Sequence, residues 1–337
     1  MKKRLAFLTA IAVTATTLLT GCGGSVGAPT KESPVTLKIG VSTGESDPRN
    51  VAAELFAAEI EEKTEGAIKA QVYPSGELGG DSDLISKLSL NTGEVDIVIT
   101  DASNFANYEP KMGISALPFL FEDFDMAWEF MDSDIEAEAE SNLPSKNMRV
   151  LAHYCNGFRC VTNSKKSIET PSDMSGMLIR TPENPIIMAT MSALGANPQP
   201  LSFSELYDAL AKGNYDAQEN PIPVIYNNNL YEVQTYLSVT NHIYSGMCFT
   251  IRENVWQSFT DEQKEIVETA AKNSADVNRN TNREQTQSLI SALKEQGMVI
   301  STPNLDPFKE ATESVITANA SSYGDLIDKL NTWRDKH

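Results

Sequence analysis

From Val35 onward the chain switches repeatedly between two hydrophobic periods. "VTLKIGVS" places apolar residues at every second position, as a half-buried strand does, and "NVAAELFAAEIEEKTEG" then places them at helical spacing before closing at Gly66. "AIKAQVYP" reads as a second strand, "GELGGDSDLISKLSLNTG" as a glycine loop entering a helix, and "EVDIVIT" as a buried, almost continuously apolar strand. The repeated order of strand, helix and strand predicts a largely parallel sheet covered by helices. On such sheets ligands sit at the carboxyl ends of the strands.

A second set follows an acidic helical stretch, "FEDFDMAWEFMDSDIEAEAE", whose acidic run from Glu122 to Glu140 reads as a solvated helix face. "MRVLAHYCNGFRCVTNSK" gives two strand-like runs separated by Asn156-Gly157. "GMLIR", the helix "NPIIMATMSALG", "NPQPLS", the helix "FSELYDALAKGN" and "YDAQENP" complete the set, and "TYLSVTNHIYSGMCFTIREN" is extended enough to return the chain to the first. From Thr260, where "TDEQ" matches a capping box, no proline or glycine interrupts the chain until Gly297. Ile266, Val267, Ala270 and Ala271 near one end, and Leu289, Ile290 and Leu293 near the other, flank a polar middle. A helix bridging two lobes shows that pattern.

Composition narrows the setting. Lys2, Lys3 and Arg4 precede an apolar run at 5–19 that is short for a membrane span, and Leu19-Thr20-Gly21-Cys22 resembles a bacterial lipobox. The expected sequence is therefore a lipoprotein signal peptide at 1–21, lipidation of Cys22 and a flexible tether at 22–34. Roughly 300 residues remain, more than one core usually organises. Two lobes are expected, at 35–156 plus 246–285 and at 157–245 plus 286–337. The chain has 46 acidic against 27 basic side chains, a net charge of −19, and losing the three leader cations makes it −22. That disfavours nucleic acid as a partner and requires any anion site to win locally. Cys155, Cys160 and Cys248 match no zinc spacing; a Cys155–Cys160 bridge and buried free thiols both remain open.

Catalytic chemistry leaves little trace. There is no HExxH, no GxSxG and no phosphate loop, and the 122–140 run lacks the glycine and ligand order of a calcium loop. His153 and His242 suit structural hydrogen bonds. No cofactor, metal or catalytic residue is expected. Polar groups at strand ends are what stands out. Met177, Leu178 and Ile179 deliver Arg180 to a strand end before Pro182 and Pro185, Asn220 precedes Pro221 in the same manner, and Arg159 follows the Asn156-Gly157 turn. On position alone a solvated surface charge is the commoner reading of Arg180. An arginine fork does, however, suit a carboxylate, and an asparagine offers both donor and acceptor.

"GMLIRTPENP", "LGANPQPLSFSELYDALAKGNYDAQENP" and "YEVQTYLSVTNHIY", in that order, resemble the extracytoplasmic solute-binding proteins of TRAP transporters, the dicarboxylate-binding (DctP) family. "YPSGELGGDSDLISKLSLNTGEVDIVIT" and "ISALPFLFEDFDMAWEFM" extend the likeness over essentially the whole mature chain. The resemblance implies a two-lobed α/β fold of the periplasmic-binding-protein type (class II), with mixed sheets flanked by helices and one long helix spanning both lobes. It implies that Arg180 forms a bidentate salt bridge to a ligand carboxylate, with Arg159 and Asn220 nearby and Phe203 against ligand carbons. Phe203 also suits a core position at a helix start. The family's G-Q-E-N-P run reads Ala217-Gln218-Glu219-Asn220-Pro221 here, with alanine in place of glycine. Glu77 occupies a position where many members carry glutamine and is a candidate acceptor for ligand hydroxyls. Gln218 is a further candidate, as are Asp101 and Ser103 just past the "EVDIVIT" strand. The implied function is capture of a small organic acid, a C4-dicarboxylate or a sugar acid, by a monomer outside the cytoplasmic membrane, for delivery to the TRAP permease subunits. An exported sugar-acid lyase or hydrolase, using Glu77 or Glu219 as base, and a ligand-binding partner of a sensor receptor are the alternatives.

Overall fold

The computed structural model describes residues 27–336. The expected signal peptide and Cys22 lie outside the described residues. The chain begins with β1 (Val35–Gly40), α1 (Pro48–Lys63), β2 (Ile68–Tyr73), α2 (Asp81–Ser89) and β3 (Ile97–Asp101), in the predicted order. It continues through α3 (Phe124–Met131) and α4 (Asp134–Glu140) into a long strand, β4 (Met148–Asn163). Next come β5 (Leu178–Thr181), α5 (Pro185–Ala193), β6 (Asn197–Pro200), α6 (Leu206–Ala211), β7 (Ala217–Pro221) and α7 (Ile222–Asn227). A second long strand, β8 (Tyr236–Arg252), precedes α8 (Glu253–Ser258), α9 (Asp261–Glu295), β9 (Val299–Ser301), α10 (Asp306–Tyr323) and α11 (Leu326–Arg334).

The strands pair in the order β2-β1-β3-β8-β4-β7-β5-β6, with β9 beside β8. Each end of the sheet is parallel, whereas β3 with β8, β4 with β8 and β4 with β7 are antiparallel. The two expected sheets are thus joined into one mixed sheet, because β4 and β8 are long enough to run through both halves. Helices cover it. On one face of the first half Phe56 of α1 and Val267 and Ala270 of α9 pack on Ile39 and Phe249, while Phe105, Met112 and Phe130 cover the other face.

Asn156-Gly157 is the main departure from the sequence reading. It is not a turn between two strands but a bulge inside β4, where the register against β8 shifts between Cys155 and Gly157. Gly157 sits at φ +116°, and a Cβ there would lie 3.1 Å from Cβ of Pro221. Turns and bulges both recruit glycine for such backbone angles, so the local signal is the same. A bulge leaves ladder groups unpaired. The polar middle of α9 meets them: Cys155 N–H donates to Asn278 Oδ1 at 2.6 Å, Asn282 Nδ2 donates to Cys155 O at 2.7 Å, and Arg279 Nε donates to His153 O at 2.9 Å.

At 35 residues α9 is about 52 Å long. It starts at the predicted capping box, with Gln263 N–H donating to Thr260 Oγ1 at 3.2 Å and Thr260 N–H to Gln263 Oε1 at 3.1 Å. Val267, Ala270, Ala271 and Ala275 bury against the first half, and Leu293 joins Leu206, Ile225 and Leu237 in the second. The C-terminal 286–337 segment was expected wholly with the second lobe. Phe308 of α10 does pack there, but Leu326 and Leu330 of α11 join Phe121 and Phe130 in the core of the first half, where the ring of Trp333 lies 5.2 Å from that of Phe130. The apolar face of α11 finds its cover in the core of the first half.

Cys155, Cys160 and Cys248 are all free and buried. The acidic 122–140 stretch is helical, yet its solvated-face reading fails at Glu136, which is 0 % exposed.

Candidate functional site

The strand ends singled out in the sequence converge where the two halves of the sheet meet. A small inner chamber of about 30 Å³ is lined by Arg49, Asp101, Asn156, Arg159, Arg180, Phe203 and Asn220, among others. It adjoins a cleft of about 470 Å³ that shares Asp81, Asn104, Arg180, Pro182 and Phe203 with it. The cleft alone lies within the size range of small-molecule pockets.

Arg180 stands at the junction. Residue 180 pairs with Gln218 in the sheet, one position before the end of β5, and Pro182 prevents the strand from continuing. Pro185, read in the sequence as a further interruption, opens α5 behind its N-cap Asn184. Arg180 is 3 % exposed; its guanidinium donates from Nε and Nη2 to Leu201 O at 2.9 and 2.5 Å and lies 5.8 Å from the centre of the Phe203 ring. Among the described residues no carboxylate pairs with it. Burial lowers its pKa to about 10, an effect that Glu219 opposes and Arg159 reinforces. A desolvated cation without a counterion is costly and strongly receptive to an anion.

Arg159 is buried too, but it has a carboxylate. Its Nε and Nη2 bind the two oxygens of Glu219 at 2.5 and 2.7 Å, and Nη2 also donates to Glu219 O at 2.8 Å and Asn220 Oδ1 at 3.2 Å. Burial pushes the Glu219 carboxyl up, and Arg159, by charge and hydrogen bonds, more than reverses this, holding it below the usual range. Burial lowers the pKa of His242 against the pull of Glu219, so the ring is neutral near pH 7. Its Nε2–H then donates to Glu219 Oε2 at 3.2 Å, and Nδ1 accepts from Thr240 at 2.8 Å. His242 makes the structural bond expected of it.

Asp101 and Asn220 line the chamber, whereas Ser103 and Gln218 stand behind them. Ser103 donates its N–H at 2.9 Å and its hydroxyl to Asp101, and accepts from Asn184 Nδ2 at 2.5 Å. Gln218 accepts from Asn220 Nδ2 at 2.6 Å and donates to Thr162 at 2.8 Å. Both hold a lining residue in place. Glu77 does not join them: it is exposed on its glycine loop and lines neither space. The acid that this loop delivers is Asp81, the first residue of α2, whose Oδ1 is buried without a hydrogen-bond partner.

Arg49, Asn156 and Ser245 were also missed. Arg49 donates to Asp47 Oδ1 at 3.1 Å and to Asn156 Oδ1 at 2.6 Å, and Asn156 Nδ2 donates to Ser245 Oγ at 3.1 Å. Ser245 in turn donates to Asp101 and accepts a long 3.4 Å contact from Arg159 Nη1. One hydroxyl thus has its single donor and both acceptor sites occupied. The Asp47-Pro48-Arg49 helix start was visible in the sequence. Its direction toward the chamber was not.

The sequence profile of the bacterial extracellular solute-binding proteins, family 7 (DctP), matches residues 39–322. The 2,3-diketo-L-gulonate-binding periplasmic protein YiaO of Escherichia coli K12 is 33% identical over 266 residues, 79% of this chain and 80% of that protein. A TRAP periplasmic solute-binding protein of Polaromonas sp. JS666, solved with D-erythronate, superposes with a TM-score of 0.85 at 32% identity, covering 89% of this chain and 98% of the other. The sugar-acid-binding protein DctPAm of Advenella mimigardefordensis, solved with galactonate, has a TM-score of 0.86 at 26% identity, covering 90% and 98%. With the profile spanning most of its length and the cleft built from the strand ends that carry the likeness, this chain belongs to the DctP family of bacterial extracellular solute-binding proteins.

Proposed function

We propose that this protein captures a small organic acid, a C4-dicarboxylate or a sugar acid such as a uronate or aldonate, and hands it to the integral membrane subunits of a TRAP transporter. The observation that carries this reading is Arg180: a buried guanidinium at the mouth of a cleft, with its charge unmatched by any described carboxylate. Its planar fork suits a carboxylate. Phe203 offers a face to ligand carbons, Asn220 an amide, and the unpartnered Oδ1 of Asp81 an acceptor for a hydroxyl. That acceptor, together with relatives that hold D-erythronate and galactonate, favours sugar acids. Charge-assisted hydrogen bonds of about 1.5–3 kcal/mol each make micromolar binding, about −8 kcal/mol, attainable.

The inner chamber has room for only a water or two. Binding therefore involves parting of the two halves, with the chain divided as 35–156 plus 246–285 and 157–245 plus 286–325, the last helix returning to the first lobe. The bulge of β4 opposite Ser245 and Gly246 is the natural hinge, and a ligand touching both halves only when closed shifts the population to the closed state. Catalysis is not part of this reading. Glu219 is held ionised by Arg159, and Glu77 is remote, so neither candidate base is placed for proton transfer. Lipidation at Cys22 and the monomeric state complete the proposal. A thermal-shift panel of dicarboxylates, uronates, aldonates and 2-oxo acids tests it: one acid class should raise the melting temperature, while neutral sugars should not. Equal stabilisation by neutral sugars would contradict it.

A further inference from the structure

Away from the cleft, α4 turns acidic side chains inward onto the central strands. Glu140 and the wholly buried Glu136 are four residues apart on this helix and so share one face. Opposite them, His153 of β4 and Cys248 of β8 are directly paired across the sheet. His153 Nε2 lies 2.5 Å from Glu140 Oε1, and Cys248 Sγ lies 3.9 Å from the same oxygen. The ligand-capable atoms of Glu140, His153 and Cys248 all fall within 4.8 Å of one another.

Ion pairing explains only part of this cluster. Arg279 binds both oxygens of Asp132 at 2.6 and 2.7 Å, and His153 sits between Asp132 and Glu140. Two features are left over. Cys248 presents a fully buried thiol to a carboxylate, and Glu136 keeps Oε2 buried with no donor, its other oxygen having only a 3.5 Å contact from Ser115. An unpartnered buried carboxyl oxygen is unfavourable. A cation held between Cys248 and Glu140 would account for the first.

We propose that Glu140, His153 and Cys248 form a site for one divalent transition-metal ion of the zinc type. A thiolate, an imidazole and carboxylates suit such an ion, whereas magnesium and calcium prefer all-oxygen sites. Asp132 Oδ1, 3.4 Å from Nδ1 of His153, is placed to accept the Nδ1–H and so turn Nε2 toward the metal, a common outer support of metal-bound histidine. Binding is an exchange for protons: Cys248 loses its thiol proton and His153 the Nε2 proton, both released to solvent. The side chains of Glu140 and His153 keep 15 and 13 % exposure, which gives the ion a way in. No spacing motif reveals the site, because the histidine and the cysteine lie 13 and 108 residues from Glu140. The bound ion would pin α4 to β4 and β8.

The test is titration of chelator-treated, reduced protein with cobalt(II), followed by displacement with zinc(II). One cobalt per chain is expected, with a thiolate-to-cobalt charge-transfer band that zinc abolishes. Cys248→Ser should remove the band and weaken binding at least tenfold, and Glu140→Gln, nearly the same shape, should weaken binding even if the serine variant folds poorly. Cys160→Ser and Arg180→Ala should leave the band intact. Absence of stoichiometric cobalt binding by the folded wild type would overturn the proposal, as would a band that survives Cys248→Ser.

Discussion

Arg159 and Arg180 flank the same strand, β7, and each is 3 % exposed, yet the sheet treats them differently. Arg159 is enclosed by its own carboxylate, with Glu219 gripping two of its nitrogens and His242 holding Glu219 from behind. Arg180 has only the carbonyl of Leu201 and the edge of a cleft. The first arrangement is complete without a ligand. The second is not, and burying a cation without its partner is what a receptor for anions requires. Two arginines that look alike in the sequence therefore differ in setting: Arg159 ties β4 to β7 through Glu219, whereas Arg180, on the proposed function, takes a ligand carboxylate.

The sharpest way to break this contrast is to truncate the structural member. Arg159→Ala should destabilise the fold by about 3–5 kcal/mol, because Glu219 is left buried without its counterion. Denaturant unfolding reads this directly, and Arg159→Met with Glu219→Leu should recover much of the loss. Next in size, Arg180→Lys keeps the charge but loses the fork. Organic-acid affinity should fall about tenfold or more, roughly 1.4 kcal/mol, with stability nearly unchanged. Calorimetric titration alongside a thermal melt separates the two effects.

Acid should also discriminate between the regions. The Glu219 carboxyl lies below its unfolded value, so its contribution is fully present above about pH 4.3 and is lost as pH falls through the lower folded value. Acid unfolding of Glu219→Gln should therefore depend less on pH in that window than the wild type does. Smallest of all, Glu77→Gln should change neither binding nor stability by more than about 0.5 kcal/mol, since Glu77 is an exposed loop residue. A large loss of affinity in that variant would restore it to the site in place of Asp81.

Most of the architecture was legible because local rules and packing agree. The capping box at Thr260 and Gln263, the strand ends at Arg180 and Asn220, and the two ends of α9 are all set by short-range patterns. What stayed hidden depends on partners distant in sequence. Asn156-Gly157 reads as a turn because nothing local reveals that Asn278 and Asn282, more than a hundred residues later, will satisfy a bulge. Glu77 lies on the glycine loop and Asp81 opens the helix that follows it, and only the entry angle of α2 decides which faces the cleft. Glu136 looks like one more solvated acid until α4 packs against the 110–116 segment that carries Ser115. Direction, unlike periodicity, is a tertiary property.

The central claim is that Arg180 is a cation held ready for a ligand. Calorimetric titration of wild type and Arg180→Ala with the acid that most stabilises the wild type tests it most directly. The account predicts at least a hundredfold loss of affinity in the variant, about 2.7 kcal/mol, with a melting temperature equal to or above that of the ligand-free wild type. Unchanged affinity in a folded variant would contradict it.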